Sequence, residues 1–445
     1  MTDEIHSRRR AFGSGSWATA QQFVTLASTA VSSVILARAL SLDDFGIFSF
    51  ATSLASMGSV VLTAGLSGLA IRVLVNREHP QPRTMTALIV IRELFATIAY
   101  GLLIAVSAIS GDSQTLAATA IATLVLFARA LDASEMWFQA RAESHKSAVI
   151  KIGVVTAMLA IRVAAAASGA ELLVFLFLYV LESVAISILL LLRYLLDRES
   201  PGFSRPETST PRALLRASWV LALASVANQI NSRGDIIVIQ ALLGSAAVGL
   251  YSAAARLSEM AYFLPTVFMT ATFPRLLQIR KIHGAGSERY RAELQSSYDR
   301  ACWAGIGIMV AILTVGPWAL ELLFGERFAE AGPILRVHAL ALPFVFMAAV
   351  FSKWIIAENR LFASLIRHGL GASLNIALNF ALIPTMGLIG SAWATVISYA
   401  VASYLSCFAT RSTRQAGVQM CLAFIAPIRA AHRRLSNGGS NGKAA

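Results

Sequence analysis

Residues 171–193 have the sequence ELLVFLFLYVLESVAISILLLLR, a run of mostly apolar side chains. One carboxylate, Glu182, interrupts an otherwise uncharged run between Glu171 and Arg193. About 20 apolar residues are enough to cross the hydrocarbon core of a bilayer as one α-helix. The stretch therefore predicts a transmembrane helix.

The composition indicates that such stretches recur along the chain. Of 445 residues, 56% are hydrophobic and 14% are charged, and the mean hydropathy is +0.66. Soluble domains carry about 25% charged residues, so a water-soluble globule and a disordered chain are excluded. The three cysteines are odd in number and widely spaced, which argues against a disulfide framework. What remains is a multi-spanning membrane protein.

The apolar stretches predict an all-α polytopic membrane protein with twelve transmembrane helices. The predicted spans are 13–40, 45–71, 84–109, 115–139, 147–168, 171–193, 213–243, 248–274, 300–324, 331–357, 361–383 and 388–410. The charged connection 278–300 predicts a short amphipathic surface helix. Residues 418–428 are apolar but too few to cross, and they predict an interfacial segment.

The positive charges predict the orientation of these spans. Twenty-six Lys and Arg residues lie in one set of loops and in the termini, whereas the alternate loops contain a single cation, Arg327. Because cytoplasmic loops are enriched in Lys and Arg, both termini are expected in the cytoplasm. In a soluble protein the formal charge of +13 would indicate nucleic-acid binding; here the loops account for it, and no nucleic-acid partner is expected.

The chain is predicted to divide into two halves. The connection 194–212 contains Pro201, Pro206 and Pro211, and it is interpreted as a cytoplasmic linker. The expected divisions are a cytoplasmic tail at 1–12, a six-helix lobe at 13–193, the linker at 194–212, a second six-helix lobe at 213–410 and a basic cytoplasmic tail at 411–445.

An internal repeat supports this division. Ser16-Trp17 matches Ser218-Trp219 at an offset of 202 residues, and Gly46-Ile47-Phe48-Ser49 matches Gly249-Leu250-Tyr251-Ser252 at an offset of 203. Six spans separate the matches, so the two lobes have the same orientation and are related by an axis along the membrane normal. Two six-helix lobes around a central cavity are therefore expected.

Ten Lys and Arg residues lie inside predicted spans, where a charge at the bilayer centre costs at least about 2.5 kcal/mol. Lys151, Lys353 and Arg367 lie near cytoplasmic ends and are expected to snorkel to the headgroups. Arg129 shares a helix face with Asp132, Glu135 and Gln139. That face is either an ion pair near the inner surface or a ligand site.

Span seven contains a polar stripe. Asn228, Asn231 and Asp235 follow one another on one helix face, and Arg233 lies at its edge. In span eight, Arg256 and Glu259 are neighbours at i and i+3. These charges either pair with each other and tie the helices together, or line a polar cavity.

Three further arginines lie near the outer ends of their spans. Arg38, Arg162 and Arg336 belong to spans one, five and ten. Each either snorkels outward or contributes to the outer mouth of the cavity, and the sequence does not distinguish these two placements.

Cations outnumber carboxylates at these depths, which predicts a net-positive cavity. Such a cavity attracts anions, and Arg in particular binds phosphate oxygens. The candidate substrate-binding residues are Arg38, Arg162, Arg233, Arg256, Arg336, Asn228 and Asn231. Asp235 and Glu259 are candidates for ion coupling or for ion pairing. No phosphate-binding Gly-rich loop or clustered metal ligands occur in the sequence, so no enzymatic activity, cofactor or metal is expected.

Three segments carry a resemblance to a known family. They are LDDFGIFSF at 42–50, AVGLYSAAARL at 247–257 and GLIGSAWAT at 387–395. With them, residues 10–412 resemble the oligosaccharide flippases of the multidrug/oligosaccharidyl-lipid/polysaccharide exporter superfamily. The resemblance implies a MATE-like fold that moves undecaprenyl-diphosphate-linked sugar repeats across the bacterial inner membrane for surface polysaccharide synthesis. It also implies that basic residues contact the diphosphate, with Arg38, Arg233 and Arg256 in matching places.

The resemblance implies membrane lipids, a polysaccharide polymerase and a chain-length regulator as partners. Three other functions remain open from the sequence. One is a cation-coupled multidrug exporter of the same superfamily, and another is a non-transporting membrane protein that recruits polysaccharide enzymes through its basic inner loops. The third is flipping of a lipid-linked peptidoglycan precursor, for which fourteen spans are expected.

Overall fold

The structure is a computed structural model that describes residues 2–63, 66–76, 80–109, 112–205 and 209–429. Of the inner-loop cations counted above, Arg77, Arg433, Arg434 and Lys443 lie outside these residues. Parts of the expected linker and C-terminal tail, 206–208 and 430–445, lie outside them as well. The described elements are all helical.

The described helices follow the predicted spans closely. In the first half they are α1 (Thr2–Ala39), α2 (Leu42–Thr63), α3 (Leu66–Asn76), α4 (Gln81–Ala108), α5 (Ser113–Thr123), α6 (Val125–Ala130), α7 (Ala133–Ala140), α8 (Ser144–Ala167) and α9 (Leu172–Leu195). In the second half they are α10 (Ser209–Leu243), α11 (Ser245–Glu259), α12 (Phe263–His283), α13 (Glu288–Phe324), α14 (Ala331–Ala339), α15 (Leu342–Ala357), α16 (Leu361–Met386), α17 (Leu388–Ser403) and α18 (Arg414–Phe424).

Most of these helices are suited to cross a membrane. Among the described residues, nine helices are long and apolar enough, and α14 with α15, bent by 43°, makes a tenth. The other two predicted spans, α10 and the pair α11 with α12, are helical but more polar. They carry the stripe and charges noted above, so they suit the interior of the bundle better than its lipid-facing surface. The chain is therefore a multi-pass, all-helical membrane protein.

The charged connection 278–300 is not a loop with its own surface helix, so that prediction is wrong. Helix α12 continues to His283 and α13 begins at Glu288. Ser287 caps α13 by accepting a hydrogen bond from the Tyr290 amide at 3.2 Å. The charged residues therefore extend two spanning helices beyond the apolar region.

The two halves touch at a pair of glycines that the sequence repeat relates. A Cβ atom on Gly46 of α2 would lie 1.8 Å from the carbonyl oxygen of Ser245 and 3.1 Å from the amide nitrogen of Gly249 in α11. A Cβ on Gly249 would lie 2.7 Å from the carbonyl oxygen of Leu42. Repeat-related residues contact each other only near the axis that relates the repeats. The two helices thus cross without space for a side chain.

Two arginines join the same end of the bundle. Arg38 of α1 donates hydrogen bonds to the carbonyl oxygens of Leu322 and Leu323 at the C-terminus of α13. Arg327 donates in return to the carbonyl oxygens of Ala37 and Arg38. A cation at a helix C-terminus satisfies free carbonyl groups and opposes the negative end of the helix dipole. These reciprocal caps close the bundle at its predicted outer end.

Candidate functional site

The described residues form two neighbouring cavities in the half of the bundle that the charge distribution assigns to the cytoplasm. Cavity one, of about 640 Å³, lies mainly in the second half of the chain. Cavity two, of about 410 Å³, lies mainly in the first half. Thr63 near the end of α2 lines both, so the cavities are neighbours.

The predicted polar stripe contributes to cavity one. Asn228 and Asn231 line it together with Ser232, whose hydroxyl lies 3.3 Å from that of Tyr399. Asn231 is 2% exposed and its side-chain oxygen has no hydrogen-bond partner among the described residues. The structure thus brings both asparagines to a cavity, where their proposed role in substrate binding remains a prediction.

Arg367 of α16 is the cation of cavity one, and the expectation that it snorkels is wrong. Its side chain is 5% exposed and lies over the ring of Phe351. One guanidinium nitrogen donates to Ser352 at 2.7 Å, while Nε and Nη1 have no partner among the described residues. The guanidinium is held inside the bundle because Ser352 and Phe351 of α15 face it.

Lys151 does not snorkel either. It donates to Glu135 at 2.6 Å and lines cavity two. Arg129 and Asp132 line the same cavity but bond to other groups. Arg129 donates to Ser59 at 2.7 Å, and Ser187 donates to Asp132 at 2.6 Å. The charged face of span four therefore forms a cavity wall.

Arg233 is an ion-pair residue in this structure. It donates to Glu259 at 2.8 Å and so joins α10 to α11. The two charges compensate each other. Of the two alternatives that the sequence left open, the ion pair between helices therefore describes Arg233 and Glu259. Glu259 is accordingly paired with Arg233 rather than with its helix neighbour Arg256.

Arg256 remains without a carboxylate. Its guanidinium donates to the hydroxyls of Ser33 in α1 and of Ser49 in α2, the latter at 3.3 Å, and lies 5.4 Å from the ring centroid of Phe45. Within the described residues, no acidic side chain lies within ion-pair distance of it. Arg256 thus places one uncompensated positive charge where the two halves of the chain meet.

The other three predicted arginines lie elsewhere. Arg162 forms an ion pair with Glu182 at 2.7 Å and is 7% exposed, so its charge is compensated. Arg38 is exposed and caps α13 as described above. Arg336 of α14 is exposed. None of the three lines cavity one or cavity two, and carboxylate pairing, helix capping and exposure describe them in this structure.

Asp235 lies in a buried polar cluster. It is 4% exposed, accepts hydrogen bonds from the Tyr251 hydroxyl and, at 2.8 Å, from the Ile236 amide, and Thr395 contacts it at 3.4 Å. Asn375 and Asn379 are fully buried on α16, which packs against α10. Across the described chain, no three His, Cys, Asp or Glu side chains come together as metal ligands.

Two buried guanidinium groups were not among the predicted site residues: Arg367 was expected to snorkel, and Arg92 was placed inside the membrane without an identified partner. Arg92 of α4 is 5% exposed and lines cavity two. Glu93 follows Arg92 by about 100° around the helix and so points to a different face, which the sequence could show. The cavity itself depends on packing of α4 against α6 and α7. For Arg367, the polar neighbours Ser364 and His368 could have indicated a polar interior face of the helix, because both line the same cavity.

Membrane-length helices around a charged interior, closed at one end, define a MATE-like polytopic membrane protein. Solved structures share this fold. They include the lipid II flippase MurJ in an inward closed conformation (TM-score 0.70, 14% identity, 92% of each chain) and an inward-facing MATE multidrug transporter (TM-score 0.59, 14% identity, 95% of this chain and 96% of that one). The chain belongs to the polysaccharide biosynthesis protein family, whose model matches residues 13–280.

Three curated relatives match between about half and four fifths of the chain. The polysaccharide export inner membrane protein EpsE of Ralstonia solanacearum is 27% identical over 79% of this chain and 86% of its own length. The probable flippase Agl15 of Haloferax volcanii is 23% identical, and the probable multidrug resistance protein NorM of Caulobacter vibrioides is 28% identical, each over 51% of this chain. The chain spans about half the length of these last two relatives, 48% and 52%.

Proposed function

We propose that this protein is a flippase for undecaprenyl-diphosphate-linked oligosaccharide repeat units. It moves them across the bacterial inner membrane by alternating access, for surface polysaccharide synthesis. Family membership and the similarity to a polysaccharide export protein support the class of cargo. Both termini lie in the cytoplasm in this proposal, and a polymerase and a chain-length regulator receive the product.

The observation that supports the proposal is that two interior arginines have no carboxylate partner among the described residues. Arg256 and Arg367 have no carboxylate at ion-pair distance among the described residues, and each is bonded to serine hydroxyls. A guanidinium in a low-dielectric site without an anion attracts one, and its planar fork matches phosphate oxygens. A diphosphate supplies the missing negative charge.

The two arginines lie at different depths, which suggests an order of contact. Arg367 follows the predicted cytoplasmic start of α16 by about 9 Å, and it lines cavity one. Arg256 lies about 16 Å from the predicted outer start of α11, near mid-bilayer. The diphosphate first contacts Arg367 from the cytoplasm and then passes to Arg256 as the halves rock, while the polyprenyl chain stays in lipid.

Complementation tests this function. The gene is deleted in its source strain and restored as wild type, Arg256→Gln, Arg256→Lys or the exposed control Arg336→Gln, and surface polysaccharide is measured alongside the amount of protein in the membrane. Arg256→Gln should abolish polysaccharide at normal protein level, Arg256→Lys should retain part of it, and the control should match wild type. Full polysaccharide with Arg256→Gln contradicts the proposal.

A cation-coupled multidrug exporter is the second candidate, and Asp235 favours it. This carboxylate is buried among hydroxyl and amide groups without an ion-pair partner in the described chain. A buried ionisable group in a membrane protein commonly marks an ion pathway. The similarity to NorM agrees with this function. Drug resistance that disappears with Asp235→Asn, at unchanged surface polysaccharide, would favour the exporter over the flippase.

A further inference from the structure

Cavity two has the size and polarity of a small-molecule site. Its volume of about 410 Å³ falls within the range of ligand pockets, roughly 300–1,000 Å³. Amide and hydroxyl groups of Gln21, Thr25, Ser59 and Gln139 share its wall with charged side chains. Amide and hydroxyl groups supply both hydrogen-bond donors and acceptors, which suits the hydroxyl groups of a sugar ring.

Three cations and three carboxylates line cavity two, and Arg162 behind its wall adds a fourth cation, so the charges around the cavity do not cancel. Glu135 is held by Lys151 at 2.6 Å, and Glu182 is held from outside the cavity wall by Arg162 at 2.7 Å. Asp132, Arg92 and Arg129 remain. These pairings leave one carboxylate against two guanidinium groups, so the cavity has one surplus positive charge. A ligand with a single negative charge balances it.

Arg92 is the residue that lacks a partner. It is 5% exposed, and its Nε and Nη1 atoms have no hydrogen-bond partner among the described residues. Glu93, next in the chain, does not line the cavity and is half-buried on another face of α4. Leaving a buried charged donor unsatisfied is costly, and a carboxylate can accept from two guanidinium nitrogens at once.

We propose that cavity two binds a sugar ring bearing one carboxylate, a hexuronic acid of the lipid-linked glycan, with Arg92 as the carboxylate contact. The inference rests on the proposed flippase function and names its substrate class. Cavity two lies beside cavity one, since Thr63 borders both. Because the glycan is attached directly to the diphosphate, a diphosphate in cavity one would place the first sugars near cavity two. A diphosphate suits cavity two less well, since it would exceed the surplus charge.

A matched pair of sugars tests the site. The full-length protein in nanodiscs of neutral lipid is titrated with methyl glucuronide and with methyl glucoside, which differ by the carboxylate, and binding is followed by saturation-transfer NMR. The glucuronide should bind at least tenfold more tightly than the glucoside. Arg92→Gln should remove that preference, and Glu93→Gln, one residue away and outside the cavity wall, should retain it.

Two further measurements separate a lost site from a lost fold. Arg92→Lys keeps a positive charge and should retain part of the glucuronide preference. Methyl glucuronide should raise the thermal unfolding temperature of the wild type but not of Arg92→Gln. Equal affinity of the wild type for both sugars, or an unchanged preference in Arg92→Gln, overturns the inference.

Pyrophosphate distinguishes this inference from the proposed function. Arg92→Gln should bind pyrophosphate like the wild type, which also shows that the variant is folded. Glucuronide preference in a wild-type protein that does not bind pyrophosphate supports the sugar site and contradicts the diphosphate contact. Pyrophosphate binding without a glucuronide preference supports the flippase and overturns the sugar site.

Discussion

Gly46 and Gly249 lie backbone to backbone where α2 crosses α11, and a Cβ built on Gly46 would lie 3.1 Å from the Gly249 amide nitrogen. Each residue is the repeat counterpart of the other. The crossing brings the halves of the chain together at the predicted outer end, so an outward opening must pivot about it or separate it. No other residue type fits at either position without moving the backbone.

Substitution of these glycines should destabilise the protein. In Gly46→Ala the added methyl group overlaps the Ser245 carbonyl oxygen, and overpacking of this kind costs about 1–3 kcal/mol. The thermal unfolding temperature in detergent should fall. Gly101→Ala is the matched control, because nothing lies within 4 Å of its Cβ position. An unfolding temperature for Gly46→Ala equal to that of Gly101→Ala would show that the crossing is not tight.

The reciprocal caps predict a conformational effect. Removing both with Arg38→Ala and Arg327→Ala frees the carbonyl groups at the ends of α1 and α13 and weakens the closed outer end. Spin labels are attached at Asp43→Cys and Glu330→Cys in a background with the native cysteines replaced. Double electron–electron resonance should then show a longer distance between the labels in the Arg38→Ala, Arg327→Ala variant than in the parent protein. A distance distribution identical to that of the parent protein counts against a role in closure.

Arg162 and Glu182 should behave as a structural pair. Arg162→Gln or Glu182→Gln alone leaves a buried charge unpaired and should cost about 3–5 kcal/mol. The double variant removes both charges and should be more stable than either single variant, measured as unfolding temperature. A double variant less stable than both single variants would indicate that Arg162 has another role than pairing.

Composition and charge were sufficient to predict helices at every span, because bilayer thickness fixes how long an apolar segment must be. Helical periodicity puts Asn228 and Asn231 on one face, and both line cavity one, whereas Asp235, the third residue of the predicted stripe, does not; their role in substrate binding stays a prediction. The sequence repeat relates Gly46 to Gly249, and in the structure these two residues contact each other. Span length and helical periodicity depend on local sequence, and the repeat is visible when the two halves of the sequence are aligned.

The partners of the arginines could not be predicted in the same way. Arg162 pairs across helices with Glu182, and Arg233 pairs with Glu259, through packing that spacing along the chain does not reveal. Arg367 lies near a helix end, which favours snorkelling, yet α15 covers it. Among the described residues, Arg256, Arg367 and Arg92 are buried or partly buried without a carboxylate at ion-pair distance, whereas Arg162 is paired with Glu182.

An ion pair outside the membrane gives a pH dependence. Lys146 donates to Asp197 at 2.8 Å, and this hydrogen bond lowers the pKa of the Asp197 carboxyl below its ordinary value of 3.8. Because the folded pKa is lower than the unfolded one, the pair stabilises the protein above pH 4 and the stabilisation is lost as the pH falls below that value. The unfolding temperature should drop more steeply there in the wild type than in Asp197→Asn, and parallel curves would rule out the contribution.

Pyrophosphate binding reports on whether an interior guanidinium group holds a diphosphate. Calorimetric titration of the wild type, Arg367→Gln and the exposed control Arg336→Gln, in neutral-lipid nanodiscs, measures whether the buried guanidinium of cavity one binds a diphosphate. Charge-assisted hydrogen bonds contribute about 1.5–3 kcal/mol, so Arg367→Gln should bind at least tenfold more weakly while Arg336→Gln matches the wild type. Equal affinity of all three proteins for pyrophosphate would show that Arg367 does not bind the diphosphate.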